Sequence, residues 1–149
     1  DYLVEYFKVI PSNIVVVGGP CHAEEVAQEK LSYLTFGCSD LHIAQDTADL
    51  FASHYIKTIL STDTMGIEYC AILKNIYALA GGMCHGLGYG DNFQAVLVSN
   101  ALREMEYFVA ALSPSNRDIK VSAYLGDLLV TAYSQFSRNR TFGNMSSKG

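Results

Sequence analysis

The feature that most limits what this chain can fold into is a change of hydrophobic rhythm near Thr62-Asp63-Thr64. Before it, short β-branched runs alternate with helical ones; after it, the strand pattern stops. Ile14-Val15-Val16-Val17, closed by Gly18-Gly19-Pro20, predicts a strand buried on both faces. Ala23 to Lys30 predicts a short helix and Ser32 to Gly37 a second strand. Leu41 to His54 predicts a helix with Leu41, Ala44, Ala48 and Phe51 on one face, and Ile56 to Leu60 an edge or half-exposed strand. From Asp63 onward the spacing predicts a helix to about Ala80, a glycine-rich turn, a long helix from Asp91 to Ala111, and shorter helical pieces between Ile119 and Tyr133. The expected class is therefore an α/β part over 1–62, the back half of a sheet, followed by an all-α part over 63–149.

The length of 149 residues suits one ordinary domain or two partial ones. Half of the residues are hydrophobic and 17% are charged, the balance of a globular chain, and no apolar run reaches the roughly 18 residues that a membrane span needs. A net charge of -5 argues against generic nucleic-acid binding and favours small-molecule or protein partners, although Arg138 and Arg140 form a local basic patch able to hold a small anion. Cys21, Cys38, Cys70 and Cys84 show no Cys-x-x-Cys spacing and no metal-site pattern; they read as reduced, mostly buried thiols, which fits the cytoplasm. The chain opens on Asp1-Tyr2-Leu3-Val4-Glu5-Tyr6-Phe7, a helical pattern without a leading methionine, and stops after a motif-rich segment, so it is expected to be a fragment.

Chemistry concentrates first at Leu73-Lys74-Asn75-Ile76-Tyr77-Ala78-Leu79-Ala80-Gly81-Gly82. Counted from Met65, apolar residues cover nearly the whole circumference of this helix, which predicts burial on most sides and leaves Lys74 in low dielectric or facing a cleft. Burial disfavours the ammonium form, which is how a lysine becomes a general acid or base near neutral pH. The alternative is a lysine that reaches solvent along its own methylenes.

A second concentration is Gly126-Asp127-Leu128-Leu129-Val130-Thr131 followed by Ser137-Arg138-Asn139-Arg140. Guanidinium groups beside hydroxyl and amide donors make an anion site, because the planar fork holds two oxygens at once. A solvated surface loop is the competing reading, and Asp127 after a glycine also suits a helix N-cap. Gly86-x-Gly88-x-Gly90 lies between helices, so it reads as a connection with positive φ angles and not as a phosphate cradle; no Gly-x-Gly-x-x-Gly follows a strand anywhere in the chain.

Three segments in order, Gly19-Pro20-Cys21-His22-Ala23-Glu24-Glu25-Val26-Ala27, Leu73-Lys74-Asn75 through Gly90-Asp91-Asn92, and Gly126-Asp127 through Ser137-Arg138-Asn139-Arg140, resemble NAD(P)-dependent sn-glycerol-3-phosphate dehydrogenase across nearly the whole chain. The resemblance implies a homodimeric two-domain enzyme. A Rossmann-like NAD(P) domain, of which 1–62 is the C-terminal part, precedes an all-α substrate domain represented by 63–149. It implies hydride transfer between NAD or NADP and dihydroxyacetone phosphate, giving sn-glycerol 3-phosphate for glycerophospholipid synthesis. The glycine-rich nucleotide turn would then lie before Asp1, and the fragment alone is expected to be inactive.

By the same resemblance, Lys74 is the proton donor and acceptor at the substrate C2 oxygen, with Asn75 beside it. Asp127 is the substrate-site aspartate and Thr131 a neighbour. Ser137, Arg138 and Asn139 contact substrate phosphate and hydroxyls, with Arg138 also near the cofactor. Gly19 and Cys21 border the substrate, and Ala23 touches the cofactor. Cys21 stands where the family usually has a small hydroxyl residue, His85 where it commonly has an acid, and Ala71-Ile72 where a smaller pair is usual. A related hydroxyacid dehydrogenase of the 6-phosphogluconate type, and a non-catalytic helical module that packs the Asp91 to Ala111 helix on a partner through Phe93, Val96, Leu97, Ala101, Leu102, Met105 and Phe108, are the competing readings.

Overall fold

The computed structural model describes residues 2–148. In chain order it has α1 (Tyr2–Phe7), a 3-10 turn (Pro11–Asn13), β1 (Val16–Gly18), α2 (Ala23–Val26), β2 (Ser32–Gly37), α3 (Leu41–Asp49) and β3 (Ile56–Ser61). Helices alone follow: α4 (Thr64–Gly86), α5 (Asp91–Leu112), a π-helical turn (Ser122–Gly126), α6 (Asp127–Tyr133) and α7 (Arg138–Ser146). Among the described residues every strand ends by Ser61, so the change of rhythm near Asp63 marks where strands cease.

The sheet has the order β1-β2-β3. β2 and β3 run parallel, Ser32 opposite Ile56 and Gly37 opposite Ser61, with α3 as the crossover between them; β1 pairs antiparallel with β2, Val16 opposite Gly37. The alternation in β3 correctly signals an edge. β1 differs from expectation: it is three residues long, lies at the other edge, and leaves Val17 exposed. Its β-branched run reads like a central strand; Val15 and Val16 do pack against the two apolar clusters, but Val17 is left uncovered. The predicted helix over Ala23 to Lys30 closes after Val26, where the chain turns through Glu29 at φ 55°. α3 ends at Asp49, leaving Leu41 and Phe51 exposed while Ala44 and Ala48 are fully buried.

Two apolar clusters hold the fold. Phe36 and Cys38 of the sheet region pack with Ala44 and Ala48 of α3. The larger cluster is helical, with Ile67 and Cys70 from α4, Val98, Ala101, Met105 and Val109 from α5, and Tyr124, Leu128 and Ala132 further on; Val16 of β1 also packs against it. α4 docks onto the sheet through Ile67, whose methyls occupy the space that a Cβ at Gly18 or Gly37 would take.

α4 is less enclosed than its composition suggests. Gly66, Ile67, Cys70, Ala78, Gly81 and Gly82 form the buried side, while Met65, Ile72, Ile76 and Met83 are exposed. It also runs past Ala80 to Gly86: Gly81 faces Gln94 of α5, while Gly82 and Gly86 face α7 and let its backbone approach. A Cβ on Gly82 would meet the Arg140 carbonyl, one on Gly86 the Ser147 hydroxyl, and one on Gly143 the Leu79 carbonyl. Only Gly88, φ 87°, has the positive φ expected of the connection to α5. On α5 the buried residues are Gln94, Val98, Ala101, Met105 and Val109, whereas Phe93, Val96 and Phe108, expected in the apolar face, are exposed. No helix among the described residues is long and apolar enough to cross a membrane.

Candidate active site

The sequence motifs converge around the middle of α4. Lys74 is 21% exposed at its side chain, and its Nζ donates to both oxygens of Asp127, at 2.7 Å to Oδ1 and 2.6 Å to Oδ2, with the Asp127 side chain only 5% exposed. Asp127 is not the helix cap that the preceding glycine suggests. The π-helical turn from Ser122 runs straight into α6, so the amides there already have helical partners and the carboxylate is free to turn inward.

Burial pushes the Asp127 carboxyl up from its ordinary value, opposed by the Lys74 ammonium, by a backbone bond to Gly19 and by the charge of His22. Desolvation outweighs the ion pair because few dipoles besides Lys74 face the carboxylate. Gly19 has φ 123°, and a Cβ there would press on the Tyr33 carbonyl, so the close approach of this turn to Asp127 requires glycine. Cys21 sits in the same turn, partly buried; burial raises its thiol, which shares a hydrogen bond with Ser32. His22 packs its ring edge-on against Phe136, centroids 5.9 Å apart, and its buried Nε2 has no partner among the described residues.

A second group lies beside the first. α7 runs alongside α4 in the same direction, held close by the glycine crossing, and this brings its first turn level with Asn75. Asn139 Nδ2 donates to Asn75 Oδ1 at 2.9 Å, and Asn75 Nδ2 donates to the Ala71 carbonyl at 3.1 Å. Ser137 is buried and caps α7, its hydroxyl accepting the Arg140 N–H at 3.3 Å. Arg138 is exposed in the same first turn and has no ion pair among the described residues. Thr131 stands one turn beyond Asp127 and donates its hydroxyl to the Asp127 carbonyl at 2.7 Å, so that proton is used within its own helix. Ala23 is exposed at the first position of α2, one residue beyond His22.

Sequence reasoning misses one cluster altogether. Asp63, at the N-cap of α4, accepts from Gly66 N–H at 3.0 Å, from Arg117 Nη2 at 2.8 Å, from Arg117 Nε, and from the Tyr124 hydroxyl at 2.6 Å. An Asp before a helix at the change of rhythm is a readable cap signal. The arginine 54 residues away leaves no local trace. A cavity of about 700 Å³ opens beside this cluster, lined by Ser61, Thr62, Ser115, Asn116 and Arg117 among others; neither Lys74 nor Asp127 lines it.

Residues 63–149 match the family model described as the C-terminus of NAD-dependent glycerol-3-phosphate dehydrogenase. Among curated proteins, a glycerol-3-phosphate dehydrogenase (NAD(P)+) from an Exiguobacterium species is 41% identical over 136 residues, 91% of this chain and 40% of the relative. One of the same description from Streptococcus pneumoniae is 40% identical over 138 residues, 93% of this chain and 41% of the relative. The solved glycerol-3-phosphate dehydrogenase of Coxiella burnetii superposes with a TM-score of 0.86 at 30% identity, covering 91% of this chain and 42% of that one. The structure of the Dunaliella salina protein named DsGPDH gives 0.85 at 32% identity, covering 90% of this chain and 23% of that one. This chain thus spans about two-fifths of the length of the curated relatives it matches.

Proposed function

The chain belongs to the NAD-dependent glycerol-3-phosphate dehydrogenase family, and from that premise we propose that it forms the substrate side of a two-domain enzyme that reduces dihydroxyacetone phosphate to sn-glycerol 3-phosphate for glycerophospholipid synthesis. In this reading residues 1–62 close a Rossmann-like NAD(P) domain and 63–149 open the helical substrate domain. The observation that carries it is the Lys74–Asp127 pair, set within the matched region. Neither the 6-phosphogluconate-type alternative nor a non-catalytic module gains support from the matches.

Lys74 has three N–H donors, two of which are directed at Asp127, leaving the third for a substrate oxygen. The nicotinamide, when bound, supplies the hydride that adds to the substrate C2. As the carbonyl π bond breaks, Lys74 delivers its proton to the C2 oxygen, and its positive charge offsets the alkoxide character that develops there. Asp127 fixes where the ammonium points. Asn75 and Asn139, already joined, are placed to orient hydroxyls. Arg138 and the first amides of α7 suit a phosphate, since a helix N-terminus and a planar guanidinium both favour anions. Gly19 and Cys21 would border the substrate, with Thr131 behind Asp127 and Ser137 holding the α7 turn.

Two residues fit the edge of a dinucleotide. Ala23 offers only a methyl group at an exposed helix start, and Arg138 is an exposed cation without an ion pair among the described residues. The reading brings with it a homodimer, consistent with the exposed Ile72, Ile76 and Val96, and light scattering of the full-length polypeptide tests that assembly.

The test of the reaction is oxidation of NADH and NADPH by the full-length polypeptide with dihydroxyacetone phosphate. Lys74→Ala should lower turnover by about 100- to 10,000-fold, the usual worth of a positioned acid-base group. A loss below about tenfold would sink the assignment of Lys74.

A further inference from the structure

α4 carries both charged clusters: Asp63 at its N-cap and Lys74 eleven residues on, about 16 Å along the helix axis. The Asp63 carboxylate is saturated by Gly66, Arg117 and Tyr124, and Arg117 Nη2 also holds the Ser113 carbonyl at 3.2 Å. Tyr124 is 4% exposed and lies inside the π-helical turn, three residues before Asp127. One residue added to a helical turn rotates everything after it by about 100°, so the π turn decides which way Asp127 faces. The cluster therefore ties the helix that presents Lys74 to the turn that aims Asp127.

We propose that Asp63, Arg117 and Tyr124 are positioning residues that set the register between α4 and the π turn and so hold Lys74 and Asp127 in their bidentate geometry. This inference rests on the dehydrogenase reading above. Cys70 lies between the clusters and feels Arg117, Asp63 and Asp127; burial pushes its thiol up to about 12, so it is a neutral spacer. The other groups facing Asp127 are Lys74 from α4 and Cys21 and His22 from the turn before α2.

Tyr124→Phe in the full-length enzyme removes one hydroxyl and leaves the helix cap intact. With Asp127 misaimed, Lys74 loses part of the anionic partner that fixes where its ammonium points. kcat should fall by about 2- to 10-fold, the range one hydrogen bond covers, with KM little changed. Thermal unfolding run alongside reports the folded fraction. Should Tyr124→Phe reduce it, Arg117→Lys, which keeps a cation against Asp63 but not its fork, gives the same readout and the same expected loss of kcat with KM little changed. A wild-type enzyme that is active, with folded variants that keep its kcat, overturns the inference alone. A wild-type enzyme with no dihydroxyacetone phosphate reductase activity overturns the functional reading and the inference together.

Discussion

The two carboxylates that face α4 make opposite use of the same chemistry. Asp63 is surrounded by donors from Gly66, Arg117 and Tyr124, which hold its carboxyl below the ordinary value although burial alone would raise it. Asp127 is more deeply buried and faces chiefly Lys74 and the Gly19 amide, so burial prevails and its carboxyl is raised. An ion pair with every acceptor position filled is a fastening. A pair left short of donors, with a partly exposed lysine, keeps the capacity to exchange a proton with a third party.

The largest effect should come from the tight backbone contact between α4 and α7 that places Asn139 beside the Lys74 region. Gly143→Val would drive a branched side chain into the Leu79 carbonyl, and a chemical denaturation midpoint should register a loss of about 3 kcal/mol, the upper part of the range for overpacking. The α4–α7 crossing should loosen as well, separating Asn139 from Asn75. A valine tolerated without loss would mean that the glycines are not what sets the approach of α7.

Next in size is the fastening itself. Asp63→Asn should cost about 1.5–3 kcal/mol near neutral pH, the range for hydrogen bonds to a charged group. The sign with pH follows from the direction of the shift. A carboxyl held below 3.8 when folded contributes stability that is present above that value and lost as pH falls through the folded value. Asp127 behaves inversely: its folded carboxyl protonates above 3.8, so its charge opposes folding at higher pH and that penalty is relieved on acidification. Melting curves across pH should therefore show wild type and Asp127→Asn converging above pH 3.8, and wild type and Asp63→Asn converging below it. Convergence in the reverse order would contradict the comparison.

The smallest effect concerns Asn139, whose bond to Asn75 is exposed. Asn139→Ala should change the melting temperature little, while raising KM for dihydroxyacetone phosphate by about 2- to 10-fold, the worth of one hydrogen bond. An unchanged KM would remove Asn139 from the binding surface.

How much of this was legible in the residues depended on the distance over which each feature acts. The strands β2 and β3, the helix between them and the helical second part follow from local periodicity, and Lys74 stands out because a lone lysine in a largely apolar helix needs a partner. What periodicity could not convey is which apolar residues are covered. Ile72, Ile76, Phe93 and Val96 read as core and are exposed, because hydrophobic character marks a residue that can be buried without saying what is there to bury it. Asp127 was ambiguous for a related reason. Gly126-Asp127 has the form of a helix start, and only the π turn upstream, which has no sequence signature, turns that start into the middle of a helix. Arg117 finds Asp63 across 54 residues, a pairing that exists only once the α5 helix has folded back over α4.

The most direct test of the account is the steady-state turnover of the full-length polypeptide with saturating dihydroxyacetone phosphate and NADH or NADPH, comparing Lys74→Ala with Asp63→Asn. The account predicts a collapse of about 100-fold or more for Lys74→Ala, as expected on losing an acid-base group, and a loss of about tenfold or less for Asp63→Asn, as expected of a group that acts through others. Equal losses, or a larger one at Asp63, would contradict the division between a reactive pair and a fastening one.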